Sequence, residues 1–183
     1  MDCTVLGNYR IAPLSEEELQ TVTEAATCGD ARAAAAYATD AWYFHRDDKE
    51  HLEQALIVSA GASPEADWRG ARSRALILAQ LGRITEANTL AEEIYAKTGQ
   101  ASTDLFLYHL LRKENPSQTD EMMFLKRAAG RGLLAARKEM LARPFRKIPL
   151  LGYLVAKLVA VIMLPLLFFI LLKNPDDPRS TTH

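Results

Sequence analysis

The sequence predicts an all-α chain: antiparallel helix hairpins over residues 15–143, followed by one transmembrane helix over residues 154–172. Three observations predict it. Helix start and stop signals recur at short intervals through residues 15–141, while the strict alternation expected of strands is scarce. Short turns containing Gly or Pro separate the helical runs, and short connections make neighbouring helices antiparallel. Finally, residues 148–172 hold a single charge, Lys157.

The elements follow in order. Ser15-Glu16-Glu17-Glu18 is a capping box, because a Ser at the cap and a Glu three residues later satisfy each other's backbone donors. The helix it opens runs to about Cys28, where Gly29-Asp30 breaks it and an Ala-rich helix continues to about Phe44. His45 to Asp48 is a polar turn, and Lys49 to about Ala60 is the third helix. Ser63-Pro64 then supplies a cap and a proline at the first helical position, where its missing N–H costs nothing. Helices over Glu65–Leu81, Thr85–Lys97, Ser102–Lys113, Thr119–Gly130 and Leu133–Leu141 complete a set of eight. Gly82, Gly99 and Asn115-Pro116-Ser117 mark the breaks.

Free energy decides the last element. Leu154–Leu172 is 19 residues long, and 14 of them are Leu, Ile, Val or Phe. A hydrocarbon core of about 30 Å needs roughly 20 such residues at 1.5 Å each. Their insertion contributes roughly −4 to −8 kcal/mol, against at most about +3 kcal/mol for Lys157 at mid-bilayer. Lys157 stands near the N-terminal end of the run, where its stem can snorkel to the headgroups, and Pro165 is expected to kink the helix.

Charge orients the span. Residues 1–125 carry 11 Lys+Arg and 20 Asp+Glu, a net −9, whereas residues 126–147 carry 8 Lys+Arg and 1 Glu, a net +7. A basic collar that includes Arg137, Lys138, Arg143, Arg146 and Lys147 therefore precedes the span. It is expected to meet anionic lipid headgroups at about 1 kcal/mol per charge, and the positive-inside rule keeps that side cytoplasmic. Residues 1–18 lack a basic stretch followed by an apolar one, so export of the body is not expected. The expected organisation is an arm over 1–14, a helical domain over 15–143, a basic juxtamembrane segment over 144–153, the span, and a polar tail over 173–183. Basic residues crowded beside a membrane, on an otherwise acidic body, argue against nucleic-acid binding. Two cysteines, Cys3 and Cys28, make no disulfide framework.

Motifs for catalysis are absent: there is no Gly-rich phosphate loop, GxSxG, HExxH or CxxC. His45-x-Asp47-Asp48-x-Glu50-His51 has ligand types suited to Zn or Mn. Its histidines are six apart rather than four, and Asp47 or Asp48 stands where a helix cap belongs. The capping reading is preferred, so no metal, no cofactor, no small-molecule substrate and no enzyme activity are expected.

Two segments match position for position: Ala25-Ala26-x-x-Gly29-x-x-x-Ala33-x-x-x-Tyr37 and Ala128-Ala129-x-x-Gly132-x-x-x-Ala136-x-x-x-Met140. Small Ala residues let two helices approach, Gly takes the turn, and spacing of four keeps Ala and the large residue on one face. The pattern resembles the Sel1-like repeat. Between the two, Ala75, Leu78, Gly82, Ile84, Ala87 and Ala91 stand at the offsets of a tetratricopeptide repeat, with Ala71 at the usual bulky position and Gly99 at the usual closing Pro. The resemblance implies a short α-solenoid that binds proteins through stacked hairpins, and with the Ala-rich usage it implies a bacterial inner membrane. Trp42-Tyr43-Phe44 either packs between hairpins or presents a ring to a partner. Trp68 with Arg69, Arg72 and Arg74 is either a carboxylate-binding patch or a solvated helix face. Trp42, Tyr43, Trp68, Arg69 and Arg72 are the candidate partner contacts. The expected function is a membrane-anchored adaptor or scaffold for a protein partner. Alternatives are an accessory subunit docking through Lys157 and Pro165 in the span, and a metal-dependent enzyme using His45 and His51.

Overall fold

The computed structural model describes residues 13–114 and 119–143, together with Lys157, Leu158, Val161 and Ile162. The described residues form eight α-helices and no strand: α1 (Glu16–Thr27), α2 (Ala31–Phe44), α3 (Lys49–Val58), α4 (Pro64–Gln80), α5 (Ile84–Thr98), α6 (Ser102–Glu114), α7 (Thr119–Gly130) and α8 (Leu134–Ala142). The all-α reading of the body holds.

Local chemistry explains the starts. Glu18 N–H donates to Ser15 Oγ at 3.4 Å and Ser15 N–H donates to Glu18 Oε2 at 2.9 Å, closing the capping box. Asp30 accepts from the N–H groups of Arg32 and Ala33 at 2.8 and 3.2 Å, and Asp48 accepts from His51 N–H at 3.1 Å. Two boundaries differ from the sequence reading. Ser59–Gly61 is a short 3-10 turn rather than the end of α3. Asp67 breaks α4 with φ −157° and ψ 100°, because its side chain accepts from Arg69 N–H at 2.9 Å and so caps a second helical start at Trp68.

The chain divides into two compact units, the first ending at Thr98 and the second beginning at Gly99. In the first, α1–α2 and α4–α5 are hairpins, and α2 packs on α4. Ala35 faces Gly70, and Thr39 Oγ1 lies 3.5 Å from Ser73 Oγ, so α2 and α4 run in the same direction. Alanine makes this core: Ala33, Ala34, Ala35, Ala38 and Ala41 on α2 and Ala71, Ala75 and Ala79 on α4 are buried. Small side chains bring the helix axes close and fill the interface at native density without large rotamers. The second unit packs α6 on α7 and α7 on α8 around Leu107, Tyr108, Phe124, Leu125 and Leu133, all fully buried.

Three hairpin turns share one geometry. Gly82 N–H donates to Ala79 O at 3.0 Å and Arg83 N–H donates to Leu78 O at 2.8 Å, with Gly82 at φ 78°. The same pair of bonds closes the turns at Gly29 and Gly132, whose φ values are 94° and 91°. This is the Schellman closure, which satisfies the last carbonyls of a helix by placing one residue in the left-handed region. The matching Ala-Ala-x-x-Gly segments of the sequence therefore fold into matching turns. Gly82→Ala would meet no neighbour within 4 Å, so its whole cost is conformational. We expect a loss of about 1 kcal/mol, read as a lower urea midpoint at unchanged slope.

Among the described residues no helix is long and apolar enough to cross a membrane. The predicted span over 154–172 lies outside the described residues except at Lys157, Leu158, Val161 and Ile162, which are helical and exposed.

Candidate functional site

The candidate partner residues separate into two places. Trp68 begins the main segment of α4, and the guanidinium groups of Arg69 and Arg72 lie 5.1 and 5.2 Å from its ring centroid. Two cations on one indole form a cation–π stack that turns Arg72 into the protein, where it is buried. Trp42 and Tyr43 stand near the end of α2. Because α2 and α4 run in parallel with Ala35 beside Gly70, Tyr43 lies about 12 Å along the axis from that contact, away from Trp68. Trp42 is half-buried, whereas Tyr43 and Phe44 are 55% and 40% exposed, so this run is not packed away between hairpins.

The histidines come together without forming a metal centre. The ring centroids of His45 and His51 lie 4.3 Å apart, and Tyr37 stacks on His51 at 6.0 Å. His45 Nε2 is 3.6 Å from the buried Asp40, whose other oxygen accepts from Leu14 N–H at 2.7 Å. Burial, and then the neighbouring charge of His45, holds the His51 imidazole below its ordinary pKa. Burial and then Asp40 push the Tyr37 phenol up. Among the described residues no group of three or more His, Cys, Asp or Glu is disposed to hold a metal ion. Asp48 serves as the α3 cap.

Two of the collar residues that are described make internal bonds. Arg137 Nε donates to Ala129 O at 3.1 Å, closing the end of α7, and Arg143 pairs with the buried Glu121. Lys138 is exposed, as is Leu141 three residues on along α8, while the exposed Met140 lies on another face of the helix. Arg146, Lys147 and Pro165 lie outside the described residues.

A groove of about 360 Å³ runs between α3 and α4 up to the turn before α5. Glu53, Leu56 and Ile57 line it from α3, at offsets of three and four; Arg74, Leu78 and Leu81 line it from α4 and its end, at offsets of four and seven. These are the spacings that put residues on one stripe of a helix. Leu56 and Leu78 form its buried floor, and Ile57, also lining it, is 70% exposed, the most exposed of the large apolar side chains described. Arg74 is half-buried, and its buried Nε has no hydrogen-bond partner among the described residues. Burial, and next the charge of Arg83, pulls the Arg74 guanidinium below its usual pKa. Arg83, also on the groove, is already engaged by Glu86 through bonds of 2.6 and 2.5 Å.

Sequence reasoning placed Arg74 with Arg69 and Arg72 and did not single out Ile57. On a helix Arg74 lies about 200° round from Arg72, so the three arginines cannot share one face. The legible signal was the stripe Arg74, Leu78, Leu81, a charge in line with two leucines. In comparisons with known proteins, no family model, no curated protein and no solved structure matches the chain.

Proposed function

We propose that this protein is an adaptor: a helical-repeat body that holds a protein partner at the cytoplasmic face of a membrane, anchored through residues 154–172. The observation that carries the reading is the α3–α4 groove, where an exposed Ile57 and a desolvated Arg74 border a leucine floor. Arginine is among the residues enriched at interfaces and their energetic hot spots, and the exposed Ile57 beside it gives a partner apolar surface to cover. The recurring Gly turn supports placing the hairpins among Sel1-like and tetratricopeptide-like repeats. The reversal from −9 to +7 ahead of residue 148 supports the membrane orientation, and Lys138 with Leu141, three residues on along α8, offers headgroups both charge and apolar surface.

A photo-reactive residue in place of Ile57, in membranes from cells making the full chain, tests this. It is expected to join a second polypeptide on irradiation, in a yield at least five times that from the exposed Glu17 of α1. No product from Ile57, or equal products from both positions, would overturn the adaptor reading at this groove.

A further inference from the structure

We propose that the α3–α4 groove selects an acidic, amphipathic peptide segment, whose carboxylate pairs with Arg74 while its neighbouring apolar side chains cover Ile57 and Leu81. This rests on the adaptor reading and adds the chemistry of the partner.

Size comes first. A groove of about 360 Å³ is at the small end of ligand pockets, roughly 300–1,000 Å³, and suits a few side chains laid along it. Two facing helical stripes define a track, and the apolar positions lie on both of its walls. An amphipathic segment presents side chains in just that way.

Charge then decides which segment. Two charged groups on the groove offer themselves, Arg74 and Glu53, and they would favour opposite partners. Glu53 is exposed, so pairing with it takes place in water and is worth little. Arg74 is half-buried with an unsatisfied Nε, and a carboxylate arriving there is met in a lower dielectric by a planar fork of donors. Arg83 does not compete for the ligand, because both of its bonds to Glu86 are made within one turn at the start of α5. Glu86 and Glu93 exert an attraction on Arg74 from α5, yet neither closes the open Nε. The acidic partner is thus favoured by the desolvated site, although the body as a whole is acidic. The exposed Glu53 leaves room for a basic residue elsewhere on the segment, so the segment need not be acidic throughout.

The test uses the full chain in detergent micelles and fluorescein-labelled alanine-based nonapeptides. These carry leucines three residues apart and a Glu, Gln or Lys between them. Fluorescence anisotropy is expected to show the Glu peptide binding about tenfold tighter than the Gln peptide, as a charge-assisted bidentate bond requires. Arg74→Gln should reduce that preference to less than twofold, while Arg74→Lys, which keeps charge but loses the fork, should leave an intermediate value. Thermal melts of both variants accompany the binding curves. Since Arg74 Nε holds no internal bond, both are expected to melt with the parent, and Arg74→Lys carries the test if Arg74→Gln does not fold. Equal binding of Glu and Gln peptides, tighter binding of the Lys peptide, or no binding of any peptide overturns acid selection. So does a crosslink from Ile57 that proves to be a second copy of this chain. If acid selection fails while Ile57 still crosslinks to a different protein, the adaptor reading stands and only its chemistry is wrong. If both fail, the adaptor reading falls as well.

Discussion

Asp104→Ala is expected to destabilise the second unit by about 3–5 kcal/mol, because it breaks a buried ion pair by deleting one side of it. Asp104 is 1% exposed, at the start of α6. It accepts from Arg127 Nε at 3.0 Å and Nη2 at 2.5 Å, and from Arg131 Nη1 at 2.7 Å. The two arginines are themselves only 16% and 12% exposed. Removing the carboxylate therefore takes a buried anion away from two mostly buried cations, and the penalty is the desolvation of their charge more than the loss of three bonds. A second exchange separates these causes. In Asp104→Leu combined with Arg127→Met and Arg131→Met the charge is gone and the volume roughly kept, so most of the stability should return. Urea denaturation followed by hydrogen exchange of residues 102–143 reads both variants. An Asp104→Ala protein whose exchange protection in that stretch matches the parent would show that the two cations do not depend on this carboxylate.

Gly70→Ala should cost about 3 kcal/mol, against the sign that helix propensity alone predicts. In an exposed helix Ala is better than Gly by about 1 kcal/mol. Here the added methyl would fall inside van der Waals contact of Ala35 Cβ and Cα and lie 2.8 Å from the Ala35 carbonyl oxygen. Two of those atoms belong to the backbone of α2, so no rotamer change relieves the clash and the helices must move apart. Separation then loosens the rest of the Ala-lined α2–α4 interface. Ala35→Gly in the same chain removes one of the three clashing atoms and should restore part of the loss, with a coupling energy of about 1 kcal/mol. Thermal melts monitored by circular dichroism give the comparison, and a Gly70→Ala protein that melts higher than the parent would show that α2 and α4 are not in contact there.

The hairpins were legible because their signals are local. A Ser-x-x-Glu box, an Asp before an Ala run and a Gly after one act over three or four residues, and the chain presents each of them in sequence order. The two misplaced boundaries are also local, but they are competitions. At Asp67 a side chain that helps the first turn of α4 can instead cap a new start at the next residue, Trp68, and the second choice won. The arginines show a different loss. Arg69, Arg72 and Arg74 look like one cluster along the chain, whereas two of them stack on Trp68 and the third faces the groove.

Order, capping and turn chemistry thus stood in the residues before any packing was known, since each depends on groups a few bonds apart. The packing of α2 on α4, the burial of Asp104 between two arginines, and the pairing of Ile57 with Arg74 across a groove did not. Each joins residues 17 to 35 positions apart, and their energies depend on which groups lose water together. That quantity belongs to the folded arrangement of helices, not to any stretch of the chain.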